Sequence, residues 1–219
     1  MEKPQGGRKV PVTWRDAKVI VAFFVFLGLF CGAGWVFLNK GIYLLPEKMC
    51  GGVLNRSLVQ QTLPRARAAD SGSKVQSAGY DLTFSCRVTT SNDSILSGRA
   101  QVQSISLDKW ITYYRGAGGG NRIIRVSAGD VQALAQVGSA GASSVYIPCA
   151  PPGLPFRKAS ESYAIVGETS VYGQARVSGA PLRQALTDFA YRLTQHAYEL
   201  AECKAPRAFP KELPRYQEQ

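Results

Sequence analysis

The side chains in this sequence that could do chemistry are few, and the most promising are cationic. Arg87 and Arg99 share outward parity on two neighbouring alternating segments, and Arg122 and Arg125 open the next one. Guanidinium groups converging from one sheet face bind a phosphate or carboxylate through paired N–H donors. These four arginines are the candidate anion-binding set. The one histidine, His196, lies three residues from Leu193 and four from Leu200, beside the apolar stripe of a helix, where a packed imidazole is expected. His196-x-x-Glu199 lacks the second histidine a metalloprotease helix requires.

Other catalytic patterns fail on spacing. No G-x-S-x-G elbow is present. Ser71 with Lys74 and Ser106 with Lys109 match S-x-x-K, but the companion S-D-N and K-T-G elements are missing; the second match reads better as a helix cap. The glycines of 116–120 lack a third fingerprint glycine at Asn121 and a following Lys-Ser/Thr, so they cradle no dinucleotide or phosphate. The carboxylates are scattered, which leaves an envelope hydrolase as the least favoured alternative. The sequence nominates no catalytic residue, no metal ligand and no cofactor.

The cysteines are structural by position. Cys31 falls in an apolar run, while Cys50, Cys86, Cys149 and Cys203 fall in the rest of the chain. Four cysteines in an oxidising compartment make two disulfides in one of three connectivities. Cys86 shares a strand face with Leu82, Phe84 and Val88, Cys149 shares one with Val145 and Ile147, and Cys203 follows Leu200 on a helical stripe. Core-facing thiols staple rather than react. The favoured pairing is Cys50–Cys86 with Cys149–Cys203, each closing a loop worth about 4 kcal/mol in the chain-entropy model.

The elements that must position these residues follow from periodicity. Residues 51–63 read as a short helix stopped by Pro64, and 65–77 as a polar loop. Residues 80–89 and 94–105 alternate as two strands around the Ser91-Asn92-Asp93 turn. A helix carrying Leu107, Trp110, Ile111 and Tyr114 ends at Gly116, and 122–126 is a strand. Residues 130–137 read as a weak helix, 144–149 as a strand, 148–155 as a proline-rich loop and 163–177 as a long strand broken at Gly167 or Gly173. Residues 181–203 form the clearest helix, with Leu182, Leu186, Phe189, Leu193, Ala197 and Leu200 on one face. Asp188 and Arg192 are placed to pair one turn apart on the other. The order short helix, cysteine strand, strand, helix thus reads twice. The predicted fold is α+β, an antiparallel sheet packed by helices, arranged as two αββα halves.

One stretch sets the address of all this. Residues 19–38, VIVAFFVFLGLFCGAGWVFL, hold no charged side chain and make a helix of about 30 Å, a bilayer's hydrocarbon thickness. Lys3, Arg8, Lys9, Arg15 and Lys18 precede it against Glu2 and Asp16, which places the N-terminus in the cytoplasm. The expected organisation is a cytoplasmic tail over 1–18, a transmembrane helix over 19–38, a connector over 39–49, a disulfide-stapled extracytoplasmic domain over 50–203 and a proline-rich tail over 204–219. The localisation that follows is the cell membrane, single-pass. Gly28 and Gly32 have the spacing that lets two membrane helices approach, a route to homo-oligomers or to packing in a membrane complex. Of the net charge of +11, residues 1–18 hold +3 and Lys40 +1; the +7 left for residues 41–219 is spread thinly, without basic runs interleaved with aromatics, so nucleic acid is not an expected partner. Membrane lipid, an envelope protein and an anionic envelope polymer are.

Cys50-Gly-Gly-Val-Leu with Leu63-Pro64, then Phe84-Ser-Cys86, then Val126-Ser-Ala-Gly129-Asp130 resemble uncharacterised actinobacterial envelope proteins anchored by a lipid or one span. The run VYGQARVSGAPLRQALTDFAYRLTQHAYELAEC is similar to streptomycete single-pass membrane proteins. The resemblance spans roughly residues 50–203 and implies an extracytoplasmic, disulfide-bonded domain with no activity or site residues to carry over. The modified cysteine of the lipid-anchored members has no counterpart here.

Overall fold

The computed structural model describes residues 14–38, 41–117, 122–138, 141–154, 161–204 and 208–216, and their side chains except those of 14–17, 35–38 and 117. The chain falls into two units, Met1–Asn39 and Lys40–Gln219. The first carries α1 (Trp14–Leu38), 25 residues long. Its described apolar side chains, Phe23, Phe26 and Phe30 among them, are exposed. Among the described residues no helix is long and apolar enough to cross a membrane. The side chains described in α1 are those of 18–34, a shorter stretch than the apolar run read from the sequence. Most of the tail expected over 1–18 lies outside the described residues, as does 118–121 of the glycine loop.

The second unit is a mixed α+β domain. A 3-10 turn (Gly41–Leu44) leads into the small hairpin β1 (Lys48–Met49) and β2 (Leu54–Asn55), then α2 (Arg56–Thr62). The helix expected from residue 51 starts later because Cys50, Gly51 and Gly52 all have positive φ, 54°, 70° and 90°, a turn no helix accommodates. Then come β3 (Ala69–Gln76), β4 (Thr83–Thr90), β5 (Ile95–Ser104), α3 (Leu107–Ala117), β6 (Ile123–Ala128), β7 (Val131–Gln136), β8 (Ala142–Pro148), β9 (Tyr163–Tyr172) and α4 (Gly179–Leu200). The seven longer strands form one sheet in the order β3-β4-β5-β9-β8-β7-β6, antiparallel at every junction.

Each face of this sheet takes one helix. On one face Phe84, Cys86, Val88, Leu96, Ala100, Val145, Ile147 and Ile165 pack under the predicted stripe of α4. Two glycines let the helix settle. A Cβ at Gly98 would stand 2.8 Å from the Phe189 ring, and one at Gly167 would strike Thr194 Oγ1. The strand runs unbroken through Gly167 for that reason and ends before Gly173, whose φ of 78° turns the chain. On the other face α3 seats Trp110 and Tyr114 against Leu134, Tyr146, Ala164 and Val166. Trp110 Nε1 donates to Ser144 Oγ at 3.0 Å.

Two elements correct the sequence expectations. Residues 131–136 are a strand, because Val131 and Ala133 join the α4 side while Leu134 joins the α3 side; a strand buried on both faces shows no alternation, and its apolar spacing mimics a helix. Residues 69–76 are the edge strand β3, nearly all exposed and held by backbone pairing to β4, so no apolar pattern marks it. The paired αββα halves therefore do not form. A duplication meeting at the β5–β9 junction would put both helices on one face, and α3 and α4 occupy opposite faces.

Both favoured disulfides are present. Cys50–Cys86 spans 5.7 Å between Cα atoms and Cys149–Cys203 5.3 Å, while Cys31 is free. The connector is part of the domain, with Ile42, Leu45 and Met49 in its core. The tail has no helix or strand among its described residues, yet Leu213 and Tyr216 are buried and Tyr191 Oη donates to the Pro210 carbonyl at 2.7 Å. Residues 205–207 and 217–219 of that tail lie outside the described residues.

Candidate functional site

The α3 side of the sheet is only half roofed. Trp110 and Tyr114 cover β7, β8 and the start of β9, leaving β3, β4 and β5 bare. Strand register lays two rows of side chains across this face. One runs Lys74, Ser85, Arg99, Glu168, Ser144 and the next Gly72, Arg87, Ser97, Ser170, Ala142. Arg87 and Arg99 are diagonal neighbours on adjacent strands, about 7–8 Å apart at the backbone, within reach of one ligand. Their guanidinium groups make no hydrogen bond or salt bridge among the described residues.

Where the roof ends, a cleft of about 480 Å³ opens between the bare rows and α3. Arg87, Ser97, Arg99, Glu168 and Ser170 face it from the sheet; Tyr113 and Tyr114 wall it from the helix. A shallower hollow of about 390 Å³ continues from the two arginines over Lys74 to β3. The Glu168 carboxyl, still reached by solvent, is held above its ordinary range because crowding by neighbouring atoms outweighs the opposing pull of Arg99. Tyr114 is 5% exposed and its hydroxyl has no hydrogen-bond partner. Burial above all, then the charge that Tyr216 takes on when ionised and that of Glu168, holds that phenol well above its ordinary value. A buried donor left unpaired beside a cleft is what a ligand acceptor would satisfy.

The sequence reading placed Arg87 and Arg99 here but erred on their companions. Arg122 and Arg125 sit at the far edge, because α3 carries the chain past β9, β8 and β7 before β6 forms, about 19 Å from β5. Arg125 is also engaged, its Nε and Nη2 donating to Gln132 Oε1 at 3.0 and 2.8 Å. Reasoning from the sequence missed Lys74, hidden in the stretch read as a loop, and Glu168, whose signal was being the lone charge in an apolar strand. Tyr114 was placed on the predicted helix, but its stranded hydroxyl has no mark in sequence.

The remaining candidates fall where chemistry is not assembled. Ser71 and Lys74 lie three apart on a strand, so their side chains leave opposite faces. Ser106 accepts the Trp110 N–H through its carbonyl, the first bond of α3. His196 packs edge-on to Phe84, ring centres 4.8 Å apart. Gly28 and Gly32 have nothing within 4 Å of their Cβ positions. Asp70, the other carboxylate on the bare face, is three strands from Glu168, beyond about 14 Å, outside the separation a glycosidase pair uses. A second groove of about 520 Å³ runs between α2, α4 and the tail, but its groups serve one another. Asp188 accepts from Gln184 Nε2 at 2.8 Å, with Arg192 and Arg215 acting at longer range, and Gln184 Oε1 takes the Tyr216 N–H.

No family model matches the chain. Neither a curated protein nor a solved structure matches it either.

Proposed function

We propose that this chain is a membrane-anchored, extracytoplasmic binding or assembly module that captures an anionic group of an envelope polymer or protein on the bare face of its sheet. The observation that carries the reading is the pair of guanidinium groups, Arg87 and Arg99, side by side at the cleft and held by no hydrogen bond or salt bridge among the described residues, Arg99 having Glu168 as its cross-strand neighbour. Each brings a planar fork of donors to a carboxylate or phosphate. The uncharged run 19–38 within the bounds of α1 and the basic residues before it support an anchor with the domain outside. The two disulfides support an oxidising compartment. The likeness to actinobacterial envelope proteins agrees with that address. Tethering raises the local concentration of nearby partners, so a modest site is occupied.

Crosslinking in membranes followed by recovery tests the reading. Wild-type chain captures a partner in a salt-sensitive way, and R87A/R99A loses it; capture of nothing at low salt contradicts the proposal. An accessory role in a membrane complex is the second reading, favoured by the open strip at Gly28 and Gly32. Gly28→Leu then blocks recovery of the partner subunit or of a second copy, and unchanged recovery rejects that role.

A further inference from the structure

We infer that the ligand of this cleft is an acidic glycan, a chain of sugar rings bearing carboxylates or phosphates; the inference rests on the anion-binding reading above and names its ligand class. Three features of the cleft point beyond a simple anion. The first is aromatic. Tyr113 at the end of α3 and Tyr172 at the end of β9 are 63% and 60% exposed, and both line the cleft that holds Arg87 and Arg99. Flat rings left in water beside paired cations offer a stacking surface to a ligand with an apolar face of its own. The C–H face of a sugar ring is such a face, and its phenol-side edge remains wet.

The second feature is Glu168. A carboxylate in the same cross-strand row as Arg99 repels every anion alike, so a ligand that consists of charge alone gains nothing from it. It serves a ligand that also carries hydroxyl donors, since an ionised carboxylate only accepts hydrogen bonds. Ser97 and Ser170, adjacent in the second row, add groups that both donate and accept. The third feature is the Tyr114 hydroxyl, buried without a partner in the cleft wall, a donor awaiting a ring or hydroxyl oxygen. Cations for the acidic groups, an acceptor for the hydroxyls and two rings for the C–H faces together describe one ligand class.

Titration calorimetry on the full-length chain in nanodiscs tests this. The probes are oligogalacturonate, a phosphorylated mannose oligosaccharide, poly-L-glutamate of matched charge and a neutral maltooligosaccharide. At least one acidic oligosaccharide binds about tenfold tighter than polyglutamate, and which one identifies the acidic group. Y113A/Y172A lowers glycan affinity about tenfold and polyglutamate affinity by much less, which removes that margin; both residues are exposed, so the fold is kept. Glu168→Gln weakens the glycan and strengthens polyglutamate. R87A/R99A abolishes both. Equal or tighter binding of polyglutamate, with the arginine dependence kept, overturns the glycan assignment and leaves an acidic peptide as the ligand. Glycan binding indifferent to the two tyrosines overturns it as well. Absence of arginine-dependent binding to every charged probe overturns the anion reading itself.

Discussion

The two faces of the seven-stranded sheet are built from the same strands and do opposite things. On the α4 face the packing is close: Gly98 and Gly167 admit the helix, Thr169 Oγ1 donates to the Leu186 carbonyl at 2.8 Å, and both disulfides tie that side together. On the α3 face the roof stops halfway; among the described residues Arg87 and Arg99 make no hydrogen bond or salt bridge, Arg99 acting on Glu168 only at longer range, and the Tyr114 hydroxyl has no hydrogen-bond partner. Alternation along β4 and β5 thus sends the core-packing side chains to one face and the proposed binding residues to the other. Substitutions under α4 should move the melting temperature, and those in the bare rows of β4 and β5 should move binding.

The largest effect belongs to the bridges. C149S/C203S, which frees 54 residues of loop, is expected to cost about 4 kcal/mol in denaturant unfolding. A loss below about 1 kcal/mol would remove the α4 face from its place as the stabilising side. Next is Gly167→Ala, whose Cβ collides with Thr194 Oγ1 and stands 3.0 Å from the Ala190 carbonyl oxygen. Overpacking at that contact costs about 1–3 kcal/mol. The comparison on the other face is Ser97→Ala, a bare-row position expected to change stability by less than about 0.5 kcal/mol.

What could be read in advance follows the same division. β4, β5 and α4 announced themselves because one face of each is apolar and the other is not: Phe84, Cys86 and Val88 alternate with Ser85 and Arg87, and Leu186, Phe189 and Leu193 recur at helical spacing. β7 was hidden by burial on both faces and β3 by burial on neither. Strand parity marked Cys86 and Cys149 as core-facing and helical spacing marked Cys203, but neither placed Cys50 or fixed the pairing. The site was half legible. Parity brought Arg87 and Arg99 to one face, but chain order does not set strand order, and α3 takes Arg122 and Arg125 to the opposite edge. No periodicity reveals where a roof ends, so Tyr113, Tyr172 and Glu168 came into view only with the fold.

Smaller effects sharpen the contrast. Tyr114→Phe removes a buried hydroxyl with no partner, so the free protein should gain about 1 kcal/mol of stability, read as a raised Tm, while losing affinity for the ligand. A loss of stability would mean the hydroxyl already has a protein partner. Alkaline pH probes the tail. Burial pushes the phenols of Tyr191 and Tyr216 up to about 12, above the ordinary 10. The folded state therefore holds these protons more tightly; their contribution is complete below pH 10 and is lost as pH rises towards 12. Tyr191 donates to Pro210, so Tm should fall in that window and Tyr191→Phe should lessen the fall. A Tm independent of pH between 10 and 12 would contradict the packing of the tail.

The most direct test measures stability and binding together on R87A/R99A. The account predicts an unfolding midpoint within about 0.5 kcal/mol of wild type and no binding of an acidic oligosaccharide that the wild-type chain retains at low salt. Undiminished binding by the folded double variant would contradict it, because the bare face would then not be where the ligand sits.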